Sequence, residues 1–115
     1  MTTTSQQPKI DLNSNDWEEV RRVLRTFIPR YEVWAFGSRA KGSAKTYSDL
    51  DLAIITEQPL SIATMAELRE AFDESDLTIK VDLVDWSRTS EPFRKIIQES
   101  KVVVQMGDQP ASGVE

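Results

Sequence analysis

The chain has 115 residues, enough for one domain with a single core and too few for a catalytic domain plus a substantial substrate-binding domain. Its 39% hydrophobic and 29% charged residues are those of an ordinary soluble globular protein, with no apolar run near the ~20 residues a membrane span needs. The absence of Cys and His excludes disulfides, thiolate chemistry, imidazole bases and histidine-containing zinc sites, and a net charge of -5 argues against tracking a nucleic-acid backbone.

Residues 1–9 and 107–115 are polar and aperiodic and are expected to be disordered tails around one folded unit over 10–106. No positively charged segment followed by an apolar stretch opens the chain, so the expected address is the cytoplasm. The first helix is expected from an N-cap at Ser14 or Asn15, with Glu18 completing a capping box. Its apolar stripe is Trp17, Val20, Leu24, Phe27 and Ile28, and Pro29 closes it.

Val33 to Phe36 reads as a strand that stops at Gly37-Ser38, and a basic loop carrying Arg39, Lys41 and Lys45 follows to Ser48. Asp49 to Thr56 reads as a second strand, ended by Gln58-Pro59. Residues 61–73 have the pattern of an amphipathic helix through Ile62, Met65, Leu68 and Phe72, and Thr78 to Trp86 is a third strand. A helix after Ser90 carries Phe93, Ile96 and Ile97, and Lys101 to Gln105 returns as a short strand. The fold class expected is α+β, a small mixed sheet flanked by helices.

Asp49 and Asp51 are two apart on a strand, so their side chains share a face. At roughly 6 Å and an effective dielectric near 20 they repel by about 3 kcal/mol, which solvent must screen or a cation must offset. One reading is a solvated strand edge. Against it, Ala53 and Ile55 on the same parity and Leu50, Leu52 and Ile54 on the other make both faces apolar, as at a central strand with a site at its mouth. On the third strand Asp82 shares parity with Val84 and Trp86, whereas Asp85 faces the other way at the strand end, where exposure is expected. Three carboxylates on adjacent strands are the ligands that hard cations such as Mg²⁺ take, with water and substrate phosphate completing the shell.

Gly37-Ser38 is either an ordinary turn with solvated basic neighbours or a phosphate cradle in which backbone N–H and hydroxyl donate to oxygens. It is no Walker A loop, because Ser43 follows Gly42 where that motif has Lys. Trp17 and Trp34 fit core positions; Trp86 is open.

Gly37-Ser38, ten further residues and then Asp49-Leu50-Asp51 resembles the signature of the polymerase-beta-like nucleotidyltransferase superfamily. Trp34-Ala35-Phe36-Gly37-Ser38-Arg39-Ala40-Lys41-Gly42 and Ser48-Asp49-Leu50-Asp51-Leu52 are similar to its minimal MNT branch, over residues 12–105, and Lys80-Val81-Asp82-Leu83-Val84-Asp85 lies where that branch places a third carboxylate. The resemblance implies that Asp49, Asp51 and Asp82 bind Mg²⁺, that Ser38 and the Gly37 backbone hold the triphosphate of ATP, and that Asp82 helps activate the nucleophile. Arg39 and Lys41 follow the motif and are the further nucleotide-binding candidates. It also implies a HEPN-type toxin as partner, with AMP transferred to its hydroxyl, a tyrosine above all, by a chain acting as antitoxin. The competing readings are a non-catalytic antitoxin that neutralises its partner by binding, transfer to a small molecule, and a nucleic-acid polymerase, for which the acceptor or nucleic-acid domain is missing.

Overall fold

The computed structural model describes residues 9–107. The expected tails therefore fall outside the described residues, apart from Lys9 and Gly107. Helix α1, Ser14–Phe27, is capped by Asn13, whose side chain accepts from the Asp16 N–H at 2.8 Å. The cap lies one residue before Ser14 and two before Asn15, the two expected positions. Buried Asp16 also accepts from the Thr78 N–H and hydroxyl, which ties the start of α1 to the segment leading into the third strand. Val23 joins Trp17, Val20, Leu24 and Ile28 in the core, whereas Phe27 is exposed.

Strand β1, Glu32–Phe36, is followed by a single turn of helix, α2, Ser38–Lys41, at the start of the expected loop. Strand β2 is Leu50–Ile55 and helix α3 is Ile62–Asp73, capped by Ser61. Ile62 stands 84% exposed, so the apolar face of α3 begins at Met65. Strand β3, Val81–Asp85, is shorter than its sequence pattern at both ends: Thr78 is held by Asp16, and Trp86–Arg88 form a 3₁₀ turn that the Asp85 side chain caps. Helix α4, Glu91–Ser100, capped by Ser90, leads into β4, Val102–Met106.

The sheet order is β3-β2-β1-β4, with β1 antiparallel to β2 and β4, and β2 parallel to β3. This is the expected mixed sheet with helices. Side-chain alternation sends Val33, Ala35, Leu50, Leu52, Ile54 and Leu83 to the larger core under α1 and α3. Trp34, Phe36 and Ala53 face the other way, against Ile97 and Phe93 of α4. Each fully buried Leu or Ile contributes roughly 1.5–3 kcal/mol. The β2 triplet Leu50, Leu52 and Ile54, all at 0% exposure, thus pins the register that decides which face Asp51 takes. On the second face α4 packs on β1, which leaves the beginnings of β2 and β3 open to solvent. Among the described residues no helix is long and apolar enough to cross a membrane.

Candidate active site

Across the sheet, Phe36 pairs with Asp51 and Asp51 pairs with Asp82, so the end of β1 and the beginnings of β2 and β3 meet at one edge. Parity puts Asp51 and Asp82 on the α4 face, with Ala53 and Val84 beyond them. Asp82 is exposed, Asp51 is half-buried, and Asp49 lies exposed one residue before β2.

Gly37 joins β1 to α2 with φ +79° and ψ -157°, a conformation that L side chains rarely adopt. A Cβ here would also lie 2.5 Å from Oδ2 of Asp51, so the turn needs glycine twice over. The Gly37 carbonyl accepts from the N–H groups of Ala40 and Lys41 at 3.1 and 3.0 Å, which starts α2. The N–H groups of Ser38 and Arg39, in that first turn, have no carbonyl four residues back to reach.

Burial raises the Asp51 carboxyl above its ordinary value, and the negative charges of Asp82 and then Asp49 push the same way. Among the described residues, no group donates a hydrogen bond to it. A half-buried anion facing two like charges without donors stabilises any cation that arrives. Among the described residues, no three acidic side chains are gathered closely enough to cage a metal by themselves. The oxygen-only donor set nevertheless fits a hard divalent ion that keeps open positions for water and phosphate, rather than one enclosed by protein.

Two expectations change at this edge. The Arg39 side chain is buried and turned into the loop: it donates to the carbonyls of Ser48 at 3.0 Å, Asp11 at 2.6 Å, Lys45 at 3.3 Å and Thr46 at 3.1 Å. Its guanidinium is a clamp for the 42–48 loop and is not free for phosphate. The Gly37 N–H is also engaged, donating to Oγ of Ser100 at 3.2 Å. Ser38 at the head of α2 is half-buried, and Lys41 at its end is exposed.

Asp85 is the opposite of the solvated strand end that its position suggests. It is 6% exposed and accepts from Thr56 Oγ1 at 2.5 Å, the Leu60 N–H at 2.8 Å, and the Ser87 N–H and hydroxyl at 3.1 and 2.9 Å. Burial pushes this carboxyl up, but the hydrogen bonds outweigh it and hold the group below the ordinary range. A hollow of about 430 Å³ between Leu60, Met65, Leu83 and Arg88 borders Asp85. None of Gly37, Ser38, Asp49, Asp51 or Asp82 lines it, and the one carboxylate it touches already has its oxygens occupied by donors. Nothing in the sequence flagged Ser100; only the meeting of α4 with the end of β1 reveals it.

Residues 18–109 match the family described as polymerase beta, nucleotidyltransferase. A probable protein adenylyltransferase MntA of Haemophilus influenzae is 54% identical over 97 residues, covering 84% of this chain and 85% of that protein. Among solved structures, a mutant of the toxin–antitoxin MntA-HpeT is 27% identical with a TM-score of 0.63, covering 85% of this chain and 75% of that one. The structure of a tri-AMPylated Shewanella oneidensis HEPN toxin in complex with MNT antitoxin matches at a TM-score of 0.58 and 22% identity, over 78% of this chain and 69% of that one, a likeness of fold.

Proposed function

The chain belongs to the polymerase beta nucleotidyltransferase family, and from that premise we propose that it is a protein adenylyltransferase moving AMP from ATP to a hydroxyl, a tyrosine's above all, of a HEPN-type toxin. Acting on that partner, it serves as the antitoxin. The reading takes residues 10–106 as the catalytic unit and the cytoplasm as its address.

One observation carries it: Asp51, raised by burial and by Asp82 and Asp49, lies against the glycine turn that opens α2. Asp49, Asp51 and Asp82 would hold Mg²⁺, which supplies charge stabilisation for the triphosphate and acidifies the attacking hydroxyl. Ser38 and the first N–H groups of α2 bind and orient phosphate oxygens, with Lys41 adding a screened positive charge. Asp82, the most open of the paired carboxylates, orients the acceptor hydroxyl and takes its proton. The acceptor oxygen forms a bond to the α-phosphorus, the bond to the bridging oxygen breaks, and pyrophosphate leaves. In this reading the second protein presents the acceptor hydroxyl.

The test is transfer of label from α-labelled ATP to the purified HEPN-type partner. The Asp49→Asn/Asp51→Asn variant should lose about 10³-fold or more in rate, since metal charge stabilisation is worth several kcal/mol. Undiminished transfer refutes the reading, and toxin neutralisation that survives the double substitution favours an antitoxin acting by binding alone.

A further inference from the structure

The turn at Gly37 combines two demands that conflict. The conformation and the closeness of Asp51 require glycine, yet glycine is the residue least able to hold one conformation by itself. Something outside the turn must restrain it, and the sheet register shows what does. Ala35 faces Val102 across β1 and β4, so two more antiparallel steps bring Gly37 opposite Ser100. There the facing segment is no longer a strand: Ser100 is the last residue of α4, outside the β1–β4 ladder. The half-buried Ser100 hydroxyl takes the place of the missing strand carbonyl and accepts the Gly37 N–H at 3.2 Å, 63 residues away in sequence.

We propose that Ser100 is a positioning residue for the nucleotide turn: by fixing the peptide between Phe36 and Gly37 it sets the direction in which Ser38 and the first N–H groups of α2 face the triphosphate. The inference rests on the nucleotidyltransferase reading for its ligand and on the structure for its geometry. The Gly37 carbonyl starts α2 and the Gly37 Cα carries the gap to Asp51. One hydrogen bond from α4 therefore fixes the residue that both starts α2 and leaves room for the Asp51 carboxylate. Loss of it frees a glycine, and the donors reach the phosphates only after an ordering step that the parent does not need.

The experiment compares the full-length parent with Ser100→Ala and Ser100→Thr, reading Mg²⁺-ATP affinity by calorimetry, Gly37 amide exchange by NMR, and thermal unfolding. Ser100→Ala should weaken ATP binding by about tenfold, the effect of a net hydrogen bond near 1.4 kcal/mol, and speed Gly37 exchange by a similar factor. The melting temperature should fall by several degrees at most, in keeping with one hydrogen bond, and Ser100→Thr, which keeps the hydroxyl, should restore affinity, exchange and melting temperature. Faster exchange at Gly37 with ATP affinity equal to the parent's overturns the positioning role while leaving the nucleotide site intact. A failure of Ser100→Thr to restore affinity also counts against it. A parent that binds no Mg²⁺-ATP at all overturns the nucleotide reading itself, and the ligand half of this inference falls with it.

Discussion

Asp51 and Asp85 sit on the same two paired strands, Asp51 in register with Asp82 and Asp85 in register with Ile54, yet they are treated in opposite ways. Asp85, on the α3 side of the sheet, is surrounded by donors from Thr56, Leu60 and Ser87. Asp51, on the α4 side at the other end, receives burial and like charge. A carboxylate whose lone pairs are filled by the fold has nothing left to offer a ligand. One that the fold leaves among burial and like charge gains from any cation that reaches it, and this separates the two aspartates more sharply than burial does: Asp85 is the more buried of them.

The comparison can be broken most directly at Asp85. Asp85→Asn removes the charge and exchanges one acceptor oxygen for a donor, so the Leu60 N–H or the Thr56–Ser87 pair loses its partner in a buried place. The expected loss is about 2–3 kcal/mol of stability, read from the urea midpoint at constant slope. Mg²⁺-ATP affinity should be unchanged at temperatures where the variant is folded. If stability holds and nucleotide binding fails, the assignment of the two aspartates is reversed.

The same rule applied to cations separates Arg39 from Lys41. Arg39→Ala strips four loop and lead-in carbonyls of their donor. Because those carbonyls lie near the surface and can be rehydrated, the expected cost is about 1–2 kcal/mol, smaller than at Asp85. Limited proteolysis within residues 42–48 should accelerate in step. An Arg39→Ala protein with an intact loop and a lost nucleotide site would return Arg39 to the phosphates.

What was legible beforehand follows the same physics. Parity along β2 and β3 puts Asp51 and Asp82 on one face, because a strand's period of two is rigid and Leu50, Leu52 and Ile54 leave no second register, whereas Asp49 lies before β2, where that parity does not reach. The glycine at the end of β1 was legible for the same reason, standing where an apolar run stops. Asp85 and Arg39 were misjudged because their partners are backbone groups and hydroxyls brought in from Thr56, Leu60, Ser48 and Asp11, which no local pattern announces. The single turn of α2 is too short to show a helical period, and Ser100 meets Gly37 only through the β1–β4 register.

Asp51→Asn has the smallest expected effect and the opposite sign. The folded pKa of Asp51 lies above its unfolded value, so between the two the folded state binds more protons, and stability falls as pH rises through that window. The penalty is complete above the raised folded value and absent below the ordinary carboxylate range. Removing the charge should therefore stabilise the apo protein near neutral pH, by less than ~1 kcal/mol because solvent reaches the half-exposed group. The gain should shrink as the solution is acidified and the parent takes up its proton. Asp85 works in reverse: its lowered folded value gives stability that is present above the ordinary carboxylate range and lost as pH falls through the folded value. Thermal melts of the parent and Asp51→Asn across this range, with and without Mg²⁺ and ATP, read both effects. Ligand should raise the parent above the variant and so invert their order, since a cation stabilises only the protein that kept its uncompensated charge. A variant less stable than the parent without ligand would mean that Asp51 is satisfied by the fold, as Asp85 is.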